Sequence, residues 1–147
     1  MSERILLAVD DSAASARSVE YVSTLIAGRS DEYVHLIHVL PPESEPSARD
    51  ESSAPRGGED DARNLLGTMR EQLTDAGMQA DHVDTGVLTV PAKGDFVDGL
   101  LDLARDQQCS TIVVGRSSLP WFQEPFHHHP ADALIKRAQG FTVWVVE

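Results

Sequence analysis

Two places in the sequence gather side chains able to bind a ligand or cap a helix. Asp10-Asp11-Ser12 offers two carboxylates and a hydroxyl directly after the apolar run Ile5-Leu6-Leu7-Ala8-Val9. Gly115-Arg116-Ser117-Ser118 follows Ile112-Val113-Val114 and runs on to His127-His128-His129-Pro130. Glycine and hydroxyls between a strand and a helix suit a phosphate: glycine lets backbone N–H groups approach closely, and a helix N-terminus presents unpaired donors. Asp and Ser after a strand also suit a plain N-cap, so Asp10 reads equally as a cap or a ligand group, and Asp11 or Ser12 can cap the next helix. The histidine run carries another chemistry. Imidazoles bind zinc, but three consecutive residues seldom point at one ion, and no nearby Cys, Asp or Glu spacing completes a tetrahedral set, so no metal site is expected. We read His129 as an N-cap, its neutral ring accepting a helix N–H, with Pro130 as the first helical residue. His38, in an apolar strand, reads as a satisfied core histidine, and Cys109 as a small buried side chain.

The elements that position these residues follow from periodicity. The run within residues 4–10 is apolar without alternation, as in a strand buried on both faces. Ala16, Val19, Val22 and Ile26 then recur at helical spacing before Gly28. A strand over residues 34–40 is halted by Pro41-Pro42, because proline cannot donate to a ladder. Residues 41–58, rich in Pro, Ser, Glu and Gly, hold too little apolar surface to offset ordering and read as a mobile loop. Ala62, Leu65, Leu66, Met69, Leu73 and Ala76 mark a second helix closed by Gly77, and a third strand falls within residues 79–88. A helix beginning near Gly94-Asp95 carries Phe96 or Val97, Leu100, Leu101, Leu103 and Ala104 on its apolar face. Cys109-Ser110-Thr111 leads into the strand ending at Gly115; a helix over about residues 131–138 and a strand over 141–146 complete the pattern.

Such alternation predicts one α/β domain over residues 1–147: an open, doubly wound, five-stranded parallel sheet of order 3-2-1-4-5 with helices on both faces. That order puts a crevice between the loops after Val9 and Gly115, so the two informative segments meet. With 24 Asp and Glu against 12 Lys and Arg, the net charge is −12 and the pI about 4.7, which disfavours a nucleic-acid surface. The lone cysteine forms no internal disulfide, and no run of signal or transmembrane length is evident; a cytoplasmic protein with no membrane role is the expectation. Leu119-Pro120-Trp121-Phe122 and Pro125-Phe126 place apolar groups in a surface segment, as a lid, a partner patch or packing against the sheet end. An apolar last strand at a sheet edge invites pairing.

Ala8-Val9-Asp10-Asp11-Ser12, Leu36-Ile37-His38-Val39, Gly94-Asp95 and Ile112-Val113-Val114-Gly115, in that order across nearly the whole chain, resemble the universal stress protein family. Leu134-Ile135-Lys136-Arg137-Ala138 and Val143-Trp144-Val145-Val146 also resemble, more loosely, the related domain of potassium-sensing histidine kinases. The family resemblance implies an adenine nucleotide alpha hydrolase-like fold and a homodimer formed through the last strand at Val143, Trp144, Val145 and Val146. Nucleotide-binding members carry Gly, two residues, Gly, nine residues, Gly, then Ser or Thr. On this chain the pattern falls on Gly115, Ser118, His128 and His129, and only the first position matches. An imidazole at His128 would fill the space a phosphate needs. Losing two charge-assisted hydrogen bonds, each worth roughly 1.5–3 kcal/mol, would take a micromolar affinity to about millimolar or beyond. Asp10, Val39 and Gly115 still match where the family holds the adenosine part, with Ser12 beside them, and Ser117 and Ser118 keep hydroxyls near the phosphate path.

The resulting expectation is a non-catalytic, dimeric stress-response or regulatory module with a degenerate nucleotide site, requiring no cofactor and acting on an unidentified protein partner. The alternative is an AMP- or ATP-binding sensor using the Asp10, Val39 and Gly115 crevice and moving the loop over residues 116–129. Catalytic residues are not expected: the chain offers no nucleophile turn with a Ser-His-acid set, no Walker lysine motif and no convincing carboxylate pair. An ATP hydrolase would further need a metal-binding acid, for which no candidate stands out.

Overall fold

The unbroken apolar run after Arg4 becomes β1 (Glu3–Val9), the middle strand of the sheet, with both faces buried. The computed structural model describes residues 3–26, 29, 31–41, 58–90, 96–116 and 130–147. Residues 42–57, which make up nearly all of the expected mobile loop, lie outside this set.

Helix α1 (Ala13–Ile26) begins where Ser12 Oγ accepts the N–H of Ser15 at 3.2 Å, so Ser12 rather than Asp11 is the cap. Its inner face is Ala14, Ser15, Ser18, Val19, Val22, Ser23 and Ile26, and the expected Ala16 is exposed. Three serines displace it because their hydroxyls find partners within or beside the helix: Ser18 donates to the Ala14 carbonyl and Ser23 to that of Glu20. Small inner residues of this kind let α1 approach the sheet closely.

β2 (Glu32–Leu40) starts two residues earlier than its apolar stretch suggests, because Glu32 and Tyr33 pair with Glu3 and Arg4. α2 (Glu59–Asp75) buries Ala62, Leu66, Met69 and Leu73. Ala76, expected on that face, is instead the C-cap, and Gly77 at φ 117° turns the chain so that its N–H bonds the Thr74 carbonyl and that of Met78 the Leu73 carbonyl. β3 (Val83–Thr89) follows a short 3₁₀ turn at Ala80–His82. α3 (Phe96–Asp106) buries Phe96, Val97, Leu100, Leu101 and Ala104. It ends by the same hydrogen-bond pattern as α2, but the left-handed residue is Gln108, φ 57°. β4 (Thr111–Gly115), α4 (Pro130–Arg137) and β5 (Thr142–Val146) complete the element order.

All strand pairs are parallel, in the order β3-β2-β1-β4-β5. Helices cover both faces. On one, Ile5, Leu7, Val9, Val34, Leu36 and Val113 pack against Val19, Val22 and Ile26 of α1 and Leu66, Met69 and Leu73 of α2. On the other, Leu6, Ala8, Ile37, Val39, Ile112 and Val114 meet α3 together with Ala131, Ala133 and Leu134 of α4. β5 is the edge next to β4; its Val143, Trp144, Val145 and Val146 are half-buried, and Trp144 meets Tyr21 of α1 edge to face at 6.1 Å.

Gln108 holds a conformation that costs an L-residue with a Cβ about 1–2 kcal/mol. Gln108→Gly should therefore raise the unfolding free energy by about 1 kcal/mol. Urea denaturation of the two proteins checks this, and an unchanged or lower midpoint would contradict it.

Candidate functional site

The chain leaves β1 toward β2 on one side and reaches β4 on the other, the topology at which open α/β sheets place a crevice beyond the carboxyl ends of the strands. Val9 is in register with His38, and Ala8 with Val114. Asp10, Val39 and Gly115 are therefore gathered at one end of the sheet, within a residue of the same level. Ser117, Ser118, His128 and His129 lie outside the described residues, as do the apolar residues 119–126. Pro130 opens α4 as expected, and the residue that caps it lies outside them too.

Asp10 is buried, and its local bonds are those of a structural lock. Its Oδ1 accepts the Ser12 N–H at 3.0 Å and the Ser15 hydroxyl at 2.8 Å, while its own N–H donates to Ser15 Oγ at 2.9 Å. With Ser12 capping Ser15 from the other side, strand end, turn and first helical turn form one closed network. The Asp10 carboxyl group also lies at the helix N-terminus, where negative charge is favourable. Ser15 is the participant that sequence reasoning missed. Its signal was present: a serine three residues beyond a serine cap, where a hydroxyl faces back toward the turn.

Gly115 has an equally local explanation. A Cβ built on it would lie 2.8 Å from Ala14 Cβ and 2.9 Å from both the carbonyl carbon and oxygen of Ala14. Only a residue without a side chain lets the end of β4 pass under the first turn of α1. Val39 places its side chain in the core shared with α3.

His38 is buried as expected, but it is not satisfied: its Nδ1 has no hydrogen-bond partner, a deficit of about 1–3 kcal/mol for a buried polar atom. Burial is the largest influence on its ring and lowers its pKa, against the opposing effects of Asp10, Asp11 and the backbone at Val39. His35, one residue below Leu36 on the opposite sheet face, is also buried; its Nδ1 lies 3.5 Å from Asp84 Oδ2 and its Nε2 is unpartnered. Burial lowers its pKa too, opposed by Asp84 and helped by Arg4. Cys109 is buried and its thiol pushed up to about 11, an unreactive state near neutral pH. Among the described residues, no group of three or more His, Cys, Asp or Glu is placed to hold a metal ion, and no helix is long and apolar enough to cross a membrane.

The family model described as the universal stress protein family matches residues 1–147. The chain belongs to the universal stress protein family. Its fold is similar to a universal stress protein family member from Burkholderia pseudomallei, with a TM-score of 0.72 at 20% identity over 98% of this chain and 95% of that one. It is also similar to the Archaeoglobus fulgidus universal stress protein in complex with dAMP, TM-score 0.61 at 16% identity over 100% and 98% of the two chains. A third likeness is to an Arabidopsis thaliana family protein with AMP bound, TM-score 0.63 at 17% identity over 98% and 90%. Among curated protein sequences none matches significantly.

Gly115→Ala should cost about 2–3 kcal/mol, since backbone must shift to admit the methyl group. Urea unfolding checks it; a loss under about 0.5 kcal/mol would show that Ala14 yields freely. The histidines give a pH dependence. A residue whose pKa is lowered by folding binds its proton more readily in the unfolded chain, so stability is full above about pH 6.5 and declines as pH falls through that value. His35→Leu should show a smaller decline in unfolding free energy between about pH 7 and pH 5 than the parent does; equal declines would contradict the assignment.

Proposed function

We propose that this protein is a non-catalytic, dimeric regulatory module of its family whose crevice does not act as a triphosphate cradle, and that it works in the cytoplasm through a protein partner. The observation that carries this reading is the contact between Gly115 and Ala14, taken with the closed Asp10 network. The two residues that most resemble the family's nucleotide pattern are both required by the fold itself, so their presence is no sign of a retained ligand. The remaining positions of that pattern are Ser118, His128 and His129, which lack the two glycines that let backbone N–H groups approach a phosphate and the terminal hydroxyl.

The dimer is proposed through β5. Among the described residues no strand pairs with its outer edge, its four apolar side chains are only half-buried, and Tyr21 and Trp144 form an aromatic wall beside it. A second copy pairing there would satisfy the edge and cover the wall.

A second reading is an adenylate sensor. It is favoured by the convergence of Asp10, Val39 and Gly115 at one sheet end, and by relatives of the same fold whose structures hold dAMP or AMP.

The double replacement His128→Gly with His129→Ser separates the two. If the histidines are what blocks a cradle, the variant should bind ATP at least about tenfold more tightly than the parent does. Unchanged weak binding would place the defect elsewhere, and tight binding by the unaltered protein would favour the sensor. For the dimer, Trp144→Asp should shift sedimentation from two copies to one; a parent that sediments as a single copy would remove the dimer from the proposal.

A further inference from the structure

We propose that the second copy pairs with β5 in one register, antiparallel about a two-fold axis at Trp144. Val143 and Val145 of one copy exchange backbone hydrogen bonds with Val145 and Val143 of the other, and the two Trp144 side chains face each other. The inference rests on the dimer proposed above and deepens it by naming the residues that meet.

The direction of the backbone groups selects the pairing. The Thr142 N–H donates to the Ser110 carbonyl at 3.0 Å, and the Val146 carbonyl accepts the Arg116 N–H at 2.8 Å, so both residues turn their backbone polar groups toward β4. Along a strand those groups alternate sides. Trp144, in register with Val113, therefore also faces β4, while Val143 and Val145 turn their N–H and C=O groups to the outer edge. Glu147 is next in that outward series, but Arg17 Nε already donates to its carbonyl at 2.6 Å. The outer edge thus offers the donors and acceptors of Val143 and Val145, placed symmetrically about Trp144.

A two-fold pair of identical strands maps this edge onto itself. With Trp144 on the axis, β5 overlaps its copy along its whole length, Thr142–Val146, and every outward group of Val143 and Val145 meets its complement. Moving the axis to Val145 would call on the Glu147 carbonyl that Arg17 holds. Moving it to Val143 would leave Val146 with no strand residue opposite it. The side chains agree. Trp144 packs on the α1 face beside Tyr21, which is 49% exposed, and an opposed pair without mutual hydrogen bonds brings its side chains closest. The Trp144 and Tyr21 rings of the two copies then cover one another. In the same alignment Glu147 comes opposite Phe141 of the second copy, whose ring carries the Arg105 guanidinium at 5.6 Å, so opposite charges face each other at both ends. Because the paired strands run antiparallel, the sheet ends that gather Asp10, Val39 and Gly115 point in opposite directions.

Disulfide crosslinking of cysteine variants of the full-length protein reads the register. The native Cys109 is buried with its thiol pushed up to about 11 and does not react. Trp144→Cys puts two thiols in an opposed pair with Cα atoms about 4.5 Å apart, within disulfide range, and most of the chain should become a covalent dimer on oxidation. Val143→Cys alone should stay uncrosslinked, its two copies lying roughly 8–9 Å apart. Val143→Cys mixed with Val145→Cys before oxidation should give the mixed covalent dimer, and this pair decides the matter if Trp144→Cys weakens association. Absence of the mixed dimer, or self-crosslinking of Val143→Cys or Val145→Cys, would overturn the register while a parent that sediments as two copies keeps the dimer. A parent that sediments as one copy removes the dimer itself.

Discussion

The structure turns on the close passage of β4 beneath the first turn of α1, where Gly115 meets Ala14 with no room for a side chain. The contact joins the first helix to the fourth strand, beside the point where the sheet reverses its direction of growth. It requires a glycine on β4 and small residues on the inner face of α1, and it draws the N-terminus of α1 down over the carboxyl end of β1. Asp10 and Ser12 then lie close enough to the helix to lock it, through the bonds to Ser15. Helix, turn and two strands form one rigid corner, and that corner is one wall of the crevice.

A packing requirement and a binding site can demand the same residue types. A glycine at a strand end admits a phosphate or admits a helix; an Asp after a strand holds a ligand or caps the next turn. Here the fold's demand on Gly115 and Asp10 is met in full by neighbours within the chain. Universal stress proteins of the same fold from Archaeoglobus fulgidus and Arabidopsis thaliana hold dAMP and AMP.

Much of this architecture was legible in the sequence. Unbroken apolar runs at Ile5–Val9 and Ile112–Val114 have the length and β-branched content of strands covered on both faces, and the helical stripes between strands leave the doubly wound parallel sheet as the economical arrangement. What could not be read was governed by contacts rather than periodicity. Ala16 fits the spacing of α1 as well as Ser15 does, but only Ser15 can bond Asp10. Ala76 fits the stripe of α2, yet Gly77 ends the helix before it. At the site, Asp10 remained ambiguous because cap and ligand use the same oxygen, and the expectation that His38 would be satisfied failed because a single strand does not reveal whether an acceptor faces its ring.

The central claim is that the family-like residues of this crevice serve the fold and do not preserve a phosphate site. The most direct measurement is calorimetric titration of the purified protein with ATP and with AMP, with and without magnesium, after mass spectrometry has established that no nucleotide copurifies. The account predicts that the two extra phosphates add nothing, so that ATP binds no more tightly than AMP and both are weaker than about 100 μM. Micromolar ATP binding, tighter than that of AMP, would contradict it and make the histidine-bearing segment a working phosphate cradle.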